Sequence, residues 1–397
     1  LKKEHQILKN TLENTWGKKV VYSKDCNDLA DDIYQKIRVK ISSQTLRRAF
    51  EFIKDGVTIS KTTLHYLANY CGYDNFDELV NQNTGQLALI DDKDLKYIKL
   101  FYSITPTQSQ EDDNYHNASK NISQILYKKP ELLNYISTYL SQSKAGQIYF
   151  FERFPFIDKL ATTYQLHIKK YLKEKVNAEA QLYGNCLLYL GYALANQDER
   201  SLVLKKINEI PINSDIHPFP LGRKFACNIL EHYLNGNGEK LAYWIKLSLY
   251  EANTISKRSK EYNNFPYFQF ILADILNLIE RPNEANEVIS ICELDYKRIP
   301  DFNLDDGYLE ALDLVKAINL VQLGKNKDAK RILARSKSTE ILFIMHDYFH
   351  IQRLVVELNF VKSESSLKYK KMHQEVCRLI KQTGFNFFKR KIKNYSE

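Results

Sequence analysis

Glycine and proline are scarce in this chain, 13 and 9 residues in 397. So few turn formers over such a length exclude a turn-rich β architecture and favour helices joined by short connections. The six cysteines, Cys26, Cys71, Cys186, Cys227, Cys292 and Cys377, include no CxxC pair and several lie among apolar residues at helical spacing. That pattern predicts reduced, mostly buried thiols rather than a disulfide framework, and an intracellular, cytoplasmic setting. No apolar run approaches the roughly 18 residues that a membrane-spanning helix needs, and the opening LKKEHQILKN lacks the apolar centre of a signal peptide. No membrane partner is expected. The first residue is Leu, so a few residues are expected upstream.

Catalytic signatures are missing too. The only glycine-rich candidate, GNGEK at 236–240, has neither the spacing nor the Ser/Thr of a phosphate-binding loop. No Ser/His/Asp or Cys/His arrangement carries a local signature. His346 and His350 are four residues apart in HDYFH, with Glu357 two turns on, a spacing at which side chains could share a metal. The residue after His346 is Asp, where a zinc protease needs Glu as base, and helical histidines among aromatics usually pack or hydrogen-bond. The expectation is a non-enzyme with no cofactor and no metal.

Positive charge is unevenly placed. The formal charge is +9, yet residues 36–61 alone carry a net +5 and residues 362–397 a net +7. Such clusters favour a polyanion, although a lysine-rich tail is often only a solvated terminus. The first cluster coincides with ISSQTLRRAFEFIKDGVTISKTTLHYLANYCGYDNFDEL at 41–79. Serines precede two apolar-periodic runs there, and a serine hydroxyl in that place accepts orphan backbone N–H groups. A helix over 43–52 puts Leu46, Phe50 and Ile53 on one buried face and leaves Gln44, Thr45, Arg47 and Arg48 pointing elsewhere. Upstream, a helix over 3–16 buries Ile7, Leu8, Leu12 and Trp16, and Ser23 is placed to cap a helix running to Ile37.

The succession LADDI, SSQTLRRAF and TISKTTLHYLANYCGYDNFDEL resembles the Xre/Cro-type helix-turn-helix module over about 60 residues, with Gly72 matching its helix-ending glycine. Fourteen residues separate Leu29-Ala30 from Thr45-Leu46, more than that family's compact turn leaves, so the first helix must be longer or the turn wider. The resemblance implies that the N-terminal end of the 43–52 helix reaches base edges in the major groove of double-stranded DNA. Gln44 would then suit adenine, Arg47 or Arg48 guanine or phosphate, and Ser43 and Thr45 phosphate or bases, with Lys40 and Lys61 holding the backbone.

At 397 residues the chain exceeds one ordinary core. Three parts are expected: a DNA-binding domain at 1–85, a polar linker at 86–94 and a helical-repeat domain at 95–397. A polar, acidic loop is expected at 105–119 and a helix opening at Pro130. Beyond about residue 145, helical hairpins recur at 225–252, 268–292 and 312–336. Each second helix opens with a charged residue and an alanine, Ala242, Ala285 and Ala329, spaced 43 and 44 residues apart. Weaker hairpins turn at 195–200 and 362–366. The aromatics Tyr149, Phe150, Phe151, Phe154 and Phe156 are expected to fill space between helices.

These hairpins resemble the tetratricopeptide class, although the period is nearer 40 than 34. The expected fold is all-α, a helix-turn-helix-like bundle followed by a tetratricopeptide-like helical-hairpin solenoid. The combination is similar to the RRNPP group of peptide-responsive regulators. That resemblance implies a transcriptional regulator, a homodimer, whose solenoid groove takes a peptide or protein ligand, with Asn185, Asn228 and Asn319 as candidate clamps. The alternative is an interaction scaffold that no longer binds DNA.

Overall fold

The structure, a computed structural model, describes residues 2–53, 55, 57–80, 92–104, 113–212, 216–258, 265–297, 307–336, 342–361 and 366–393. Among these the regular elements are all helical and no strand occurs. Two compact units are formed, Leu1–Ile98 and Lys99–Glu397. No helix of the described residues is long and apolar enough to cross a membrane.

Unit 1 begins with α1 (Lys2–Trp16), α2 (Asp25–Ile37), α3 (Ser43–Ala49) and α4 (Lys61–Tyr70), followed by a helical turn at 76–80. Its core joins Leu8 and Leu12 of α1, Leu29 and Ile33 of α2, Leu46 of α3 and Leu67 of α4, all almost fully buried. Ser42 and Ser60 cap α3 and α4 by accepting the N–H of Thr45 and Thr63. Ser23 does not cap α2. There the Asp25 carboxylate instead accepts the N–H groups of Val21 and Tyr22 and ties the helix to the preceding turn. The wide spacing noted in the sequence is taken up by a long α2, ended by Arg38 in the left-handed conformation (φ 57°), and a five-residue connection to α3.

α3 is shorter than expected, stopping at Ala49 rather than 52. Glu51 adopts φ 62°, Glu51 N–H bonds to Arg48 and Phe52 N–H to Arg47, which closes the helix by a Schellman pattern. Glycine usually fills that place, so a glutamate there gave no stop signal. Phe50 still packs against the core but Ile53 does not join it.

Unit 2 takes over within α5 (Asp92–Ser103) and continues through α6 (Asp113–Lys128) and α7 (Pro130–Gln142), α6 replacing the second half of the expected 105–119 loop. A tight coil over 144–159 then buries Phe150, Phe151, Phe154 and Phe156 essentially completely, as the core reading of that stripe requires. After α8 (Tyr164–Glu174) come five antiparallel pairs: α9 (Ala178–Ala195) with α10 (Glu199–Glu209), α11 (Pro218–Leu234) with α12 (Gly238–Arg258), α13 (Tyr267–Leu278) with α14 (Pro282–Lys297), α15 (Tyr308–Gln322) with α16 (Asn326–Arg335), and α17 (His346–Leu358) with α18 (Leu367–Thr383). Each first helix packs on the first helix of the next pair.

The first four pairs turn in the same way. Asn196, Gly236, Glu280 and Gly324, spaced 40, 44 and 44 residues, all have φ between 60° and 76°. In each, the next residue's N–H reaches back five residues: Gln197 to Tyr192, Asn237 to His232, Arg281 to Leu276 and Lys325 to Leu320. Downstream, Ala285 and Ala329 are fully buried where the helices close, but Ala242 is exposed. The equivalent position is Leu241, buried and 44 residues before Ala285, so the sequence register was one residue out. The turn of the last pair, 362–365, lies outside the described residues.

The last pair returns to the first. Asp158, fully buried, accepts the N–H groups of Asp347 (2.9 Å) and Tyr348 (2.8 Å) and the Tyr127 hydroxyl (3.1 Å), capping α17 from 190 residues away. Phe387 N–H bonds to Leu194 and the Asn386 amide to Ala195. Phe385, Phe387 and Phe388 are buried, with Lys391 of α19 (Phe388–Lys393) paired to Glu280. The described part of the basic tail, 366–393, is thus folded rather than a solvated terminus.

Two outcomes follow for stability. Gly324→Ala meets no atom within 4 Å but strains a left-handed residue, so it costs about 1 kcal/mol in urea unfolding; an unchanged midpoint contradicts the turn assignment. An aspartate titrates near pH 3.9 in an unfolded chain, whereas burial, then the Asp347 charge, pushes Asp158 up to about 7. Its contribution is therefore full below about pH 4 and is lost as pH rises through about 7. Asp158→Asn should flatten the decline in stability between pH 5 and 8, and an undiminished decline assigns it to other groups.

Candidate nucleic-acid interface

The residues nominated for DNA sit at the start of α3, on the connection before it and at the start of α4. Lys40, Gln44 and Lys61 are exposed. Lys40 and Lys61 form no ion pair among the described residues. Ser43 occupies the first turn of α3, half-buried, beside the capping Ser42. Thr45 is half-buried and its hydroxyl is shared with that of Ser42 at 2.8 Å. A hydroxyl that completes a cap is held in place, so Thr45 serves α3 before it serves any ligand.

The paired arginines do not project freely. Arg48 donates to both oxygens of Asp55, Nε at 2.9 Å and Nη2 at 2.7 Å from Oδ2. This two-pronged pairing, with a hydrogen bond to the Val57 N–H as well, holds Asp55 below the usual carboxylate range. Arg47 reaches back to the start of α2, donating to the Ser23 carbonyl (3.3 Å) and the Asn27 side chain (3.2 Å). The expectation of two uncommitted guanidinium groups is corrected: one is neutralised by a carboxylate of the loop after α3, the other is spent on positioning α3 against α2. Asp55 lies seven residues after Arg48 in the sequence, beyond the helical spacing that would have marked the pair. The remaining polar surface is that of Lys40, Gln44 and Lys61, with exposed Arg38 beside Lys40 in sequence.

The asparagines nominated as clamps are occupied differently. Asn228 is 1 % exposed and pairs reciprocally with Asn208 at 3.0 and 3.1 Å, binding α11 to α10. Asn319, also 1 % exposed, donates to the Asn277 side chain and the Pro282 carbonyl and so binds α15 to the preceding hairpin. Neither can take up a peptide backbone without losing those bonds, a correction whose reason is burial between helices. Asn185 is buried and its amide bonds back to Gln181.

His346 and His350 stack with ring centroids 5.8 Å apart. The His346 ring bonds to Asp347, while Glu357 is held by Arg353 at 2.8 Å. Among the described residues no three His, Cys, Asp or Glu side chains are grouped as metal ligands.

Missed by the sequence reading were the buried charges of unit 2. Glu231 is met by the Tyr189 and Ser201 hydroxyls, the Asn235 amide and Arg200. Burial pushes its carboxyl up, and these donors outweigh burial to hold it low. Asp274 accepts from Tyr348 (2.7 Å) and Gln352 (3.1 Å). Nothing local marked either; both follow an apolar helical pattern in which only tertiary packing chooses the partner.

Comparison with family models, with curated proteins and with solved structures finds no match to this chain.

The caps give a direct check on unit 1. Ser42→Ala removes the acceptor of the Thr45 N–H and should cost about 1 kcal/mol, read as faster hydrogen exchange across α3; unchanged exchange there contradicts the cap.

Proposed function

We propose that the chain is a DNA-binding transcriptional regulator of helix-turn-helix type, not an enzyme, whose helical-repeat unit binds a peptide or protein partner and mediates dimerisation. The observation that carries the reading is a short helix in unit 1, fixed by core packing, Arg47 and Arg48, whose first turn exposes Gln44, with Lys40 exposed on the connection before it and Lys61 exposed at the start of α4. A helix held that way presents its first turn to a groove at little further entropic cost. Gln44 reads a base edge, Lys40 and Lys61 meet phosphates, and Arg47 and Arg48 orient the reader. The resemblance to Xre/Cro-type modules and to tetratricopeptide-like regulators supports the same assignment. Tyr243 and Tyr250, exposed seven residues apart on α12, support a partner or dimer surface on unit 2.

The engagement of Arg48 by Asp55 favours a second reading, a helical-repeat interaction scaffold without DNA affinity. Electrophoretic retardation of genomic fragments separates the two. On the regulator reading, affinity falls steeply with salt, and Lys40→Ala with Lys61→Ala lowers it tenfold or more while reducing the salt slope by about two. Absence of retardation at low salt supports the scaffold, and retardation indifferent to both substitutions overturns the assignment of DNA contact to these lysines.

A further inference from the structure

The first helices α9, α11, α13 and α17 of unit 2 converge around a void of about 50 Å³, enough for roughly three to five waters. Its walls are mainly apolar, with Leu190, Phe270, Ile271 and Met345 among them, and Arg223 and Asp274 are the charged residues on the lining. Arg223 is only 9 % exposed, yet its Nε has no hydrogen-bond partner. Its guanidinium carbon lies 4.6 Å from the Phe219 ring, and among the described residues it has no carboxylate partner. Asp274, on the same lining, forms no ion pair with it: its oxygens accept from Tyr348 and Gln352, and the Arg223 charge acts on it only from a distance, helping to hold its carboxyl down against burial. Glu231 in the same unit, by contrast, is met by four donors. A buried guanidinium without an acceptor is strongly unfavourable unless something else supplies one.

We propose that this void is a ligand pocket in which Arg223 binds a carboxylate carried on a compact, branched apolar body. The carboxylate accepts the unused guanidinium N–H groups, in the paired geometry that arginine favours. The apolar body replaces water against Leu190, Ile271 and Met345. Phe219 holds the guanidinium plane from the other side and limits its rotation. Two sources carry this chemistry, a free branched-chain acid and the C-terminus of a short peptide. The inference rests on the ligand-binding half of the proposed function and is independent of the DNA half.

The test is calorimetric titration of the full chain with 4-methylpentanoate, its amide, and N-acetyl-leucyl-leucine with either a free or an amidated C-terminus. The free carboxylates should bind at least tenfold more tightly than their amides. Whichever carboxylate binds better identifies the source. Arg223→Met, similar in length and apolar, should abolish binding and raise the unfolding temperature, because the unmet charge is gone; Arg223→Lys should retain part of the affinity. Equal binding of acid and amide, no binding of either carboxylate, or full affinity in Arg223→Met overturns the pocket. The acid–amide comparison stands even if the variants fail to fold. A chain that retards DNA but ignores carboxylates refutes the pocket alone, and one that takes carboxylates but not DNA refutes the DNA reading alone.

Discussion

Each of the first four helical pairs of unit 2 has to reverse direction within three residues and satisfy the carbonyls left open at the end of its first helix. A residue in the left-handed conformation does both. Because Asn196, Gly236, Glu280 and Gly324 all take that conformation and the same backward hydrogen bond, successive pairs leave their turns in a common geometry. First helices then stack on first helices, and their inner sides converge on one interior. The Asp158 carboxylate fastens the far end of that stack, placing the start of α17 against the aromatic coil at 144–159. Without the shared turn, neither the buried carboxylates nor the void beside Arg223 would have a fixed position.

Unit 1 obeys a different constraint. Its helices are short, and α3 has seven residues, too few to be stable alone. Its place is set by Leu46 in the core, by Ser42 at one end and by two arginine contacts at the other. Those contacts decide which functional reading is physically available. A guanidinium held by Asp55 has lost most of its attraction for phosphate, whereas Lys40 and Lys61, exposed and without an ion pair among the described residues, keep theirs. On the proposed reading, recognition falls to Gln44 of α3, with Lys40 and Lys61 as the phosphate contacts.

How legible was this in the sequence? The helical class, α1, the two serine caps and the hairpins around 225–252, 268–292 and 312–336 were all readable, since apolar spacing and hydroxyl placement are local signals. What was not readable depends on distant partners. Glu51 and Glu280 occupy left-handed positions where glycine would have announced a turn, so the end of α3 was set too late. Ala242 looked like Ala285 and Ala329, but the buried position is Leu241, because small size alone does not say which way a residue faces. Asparagines on first helices looked free for a peptide, yet Asn228 and Asn319 join neighbouring helices. Arg223 and Lys224 are adjacent in an apolar run, and the sequence could not tell which would line a void.

The proposed function makes unit 1 a sequence-reading DNA module and the chain a dimer. Selection of bound duplexes from a random pool by the purified full-length protein tests that most directly. The account predicts enrichment of a short sequence repeated as two inverted half-sites, spaced by about one helical turn or a multiple of it. Recovery of a pool indistinguishable from the starting one, under low-salt conditions where other basic proteins retain DNA, would contradict it.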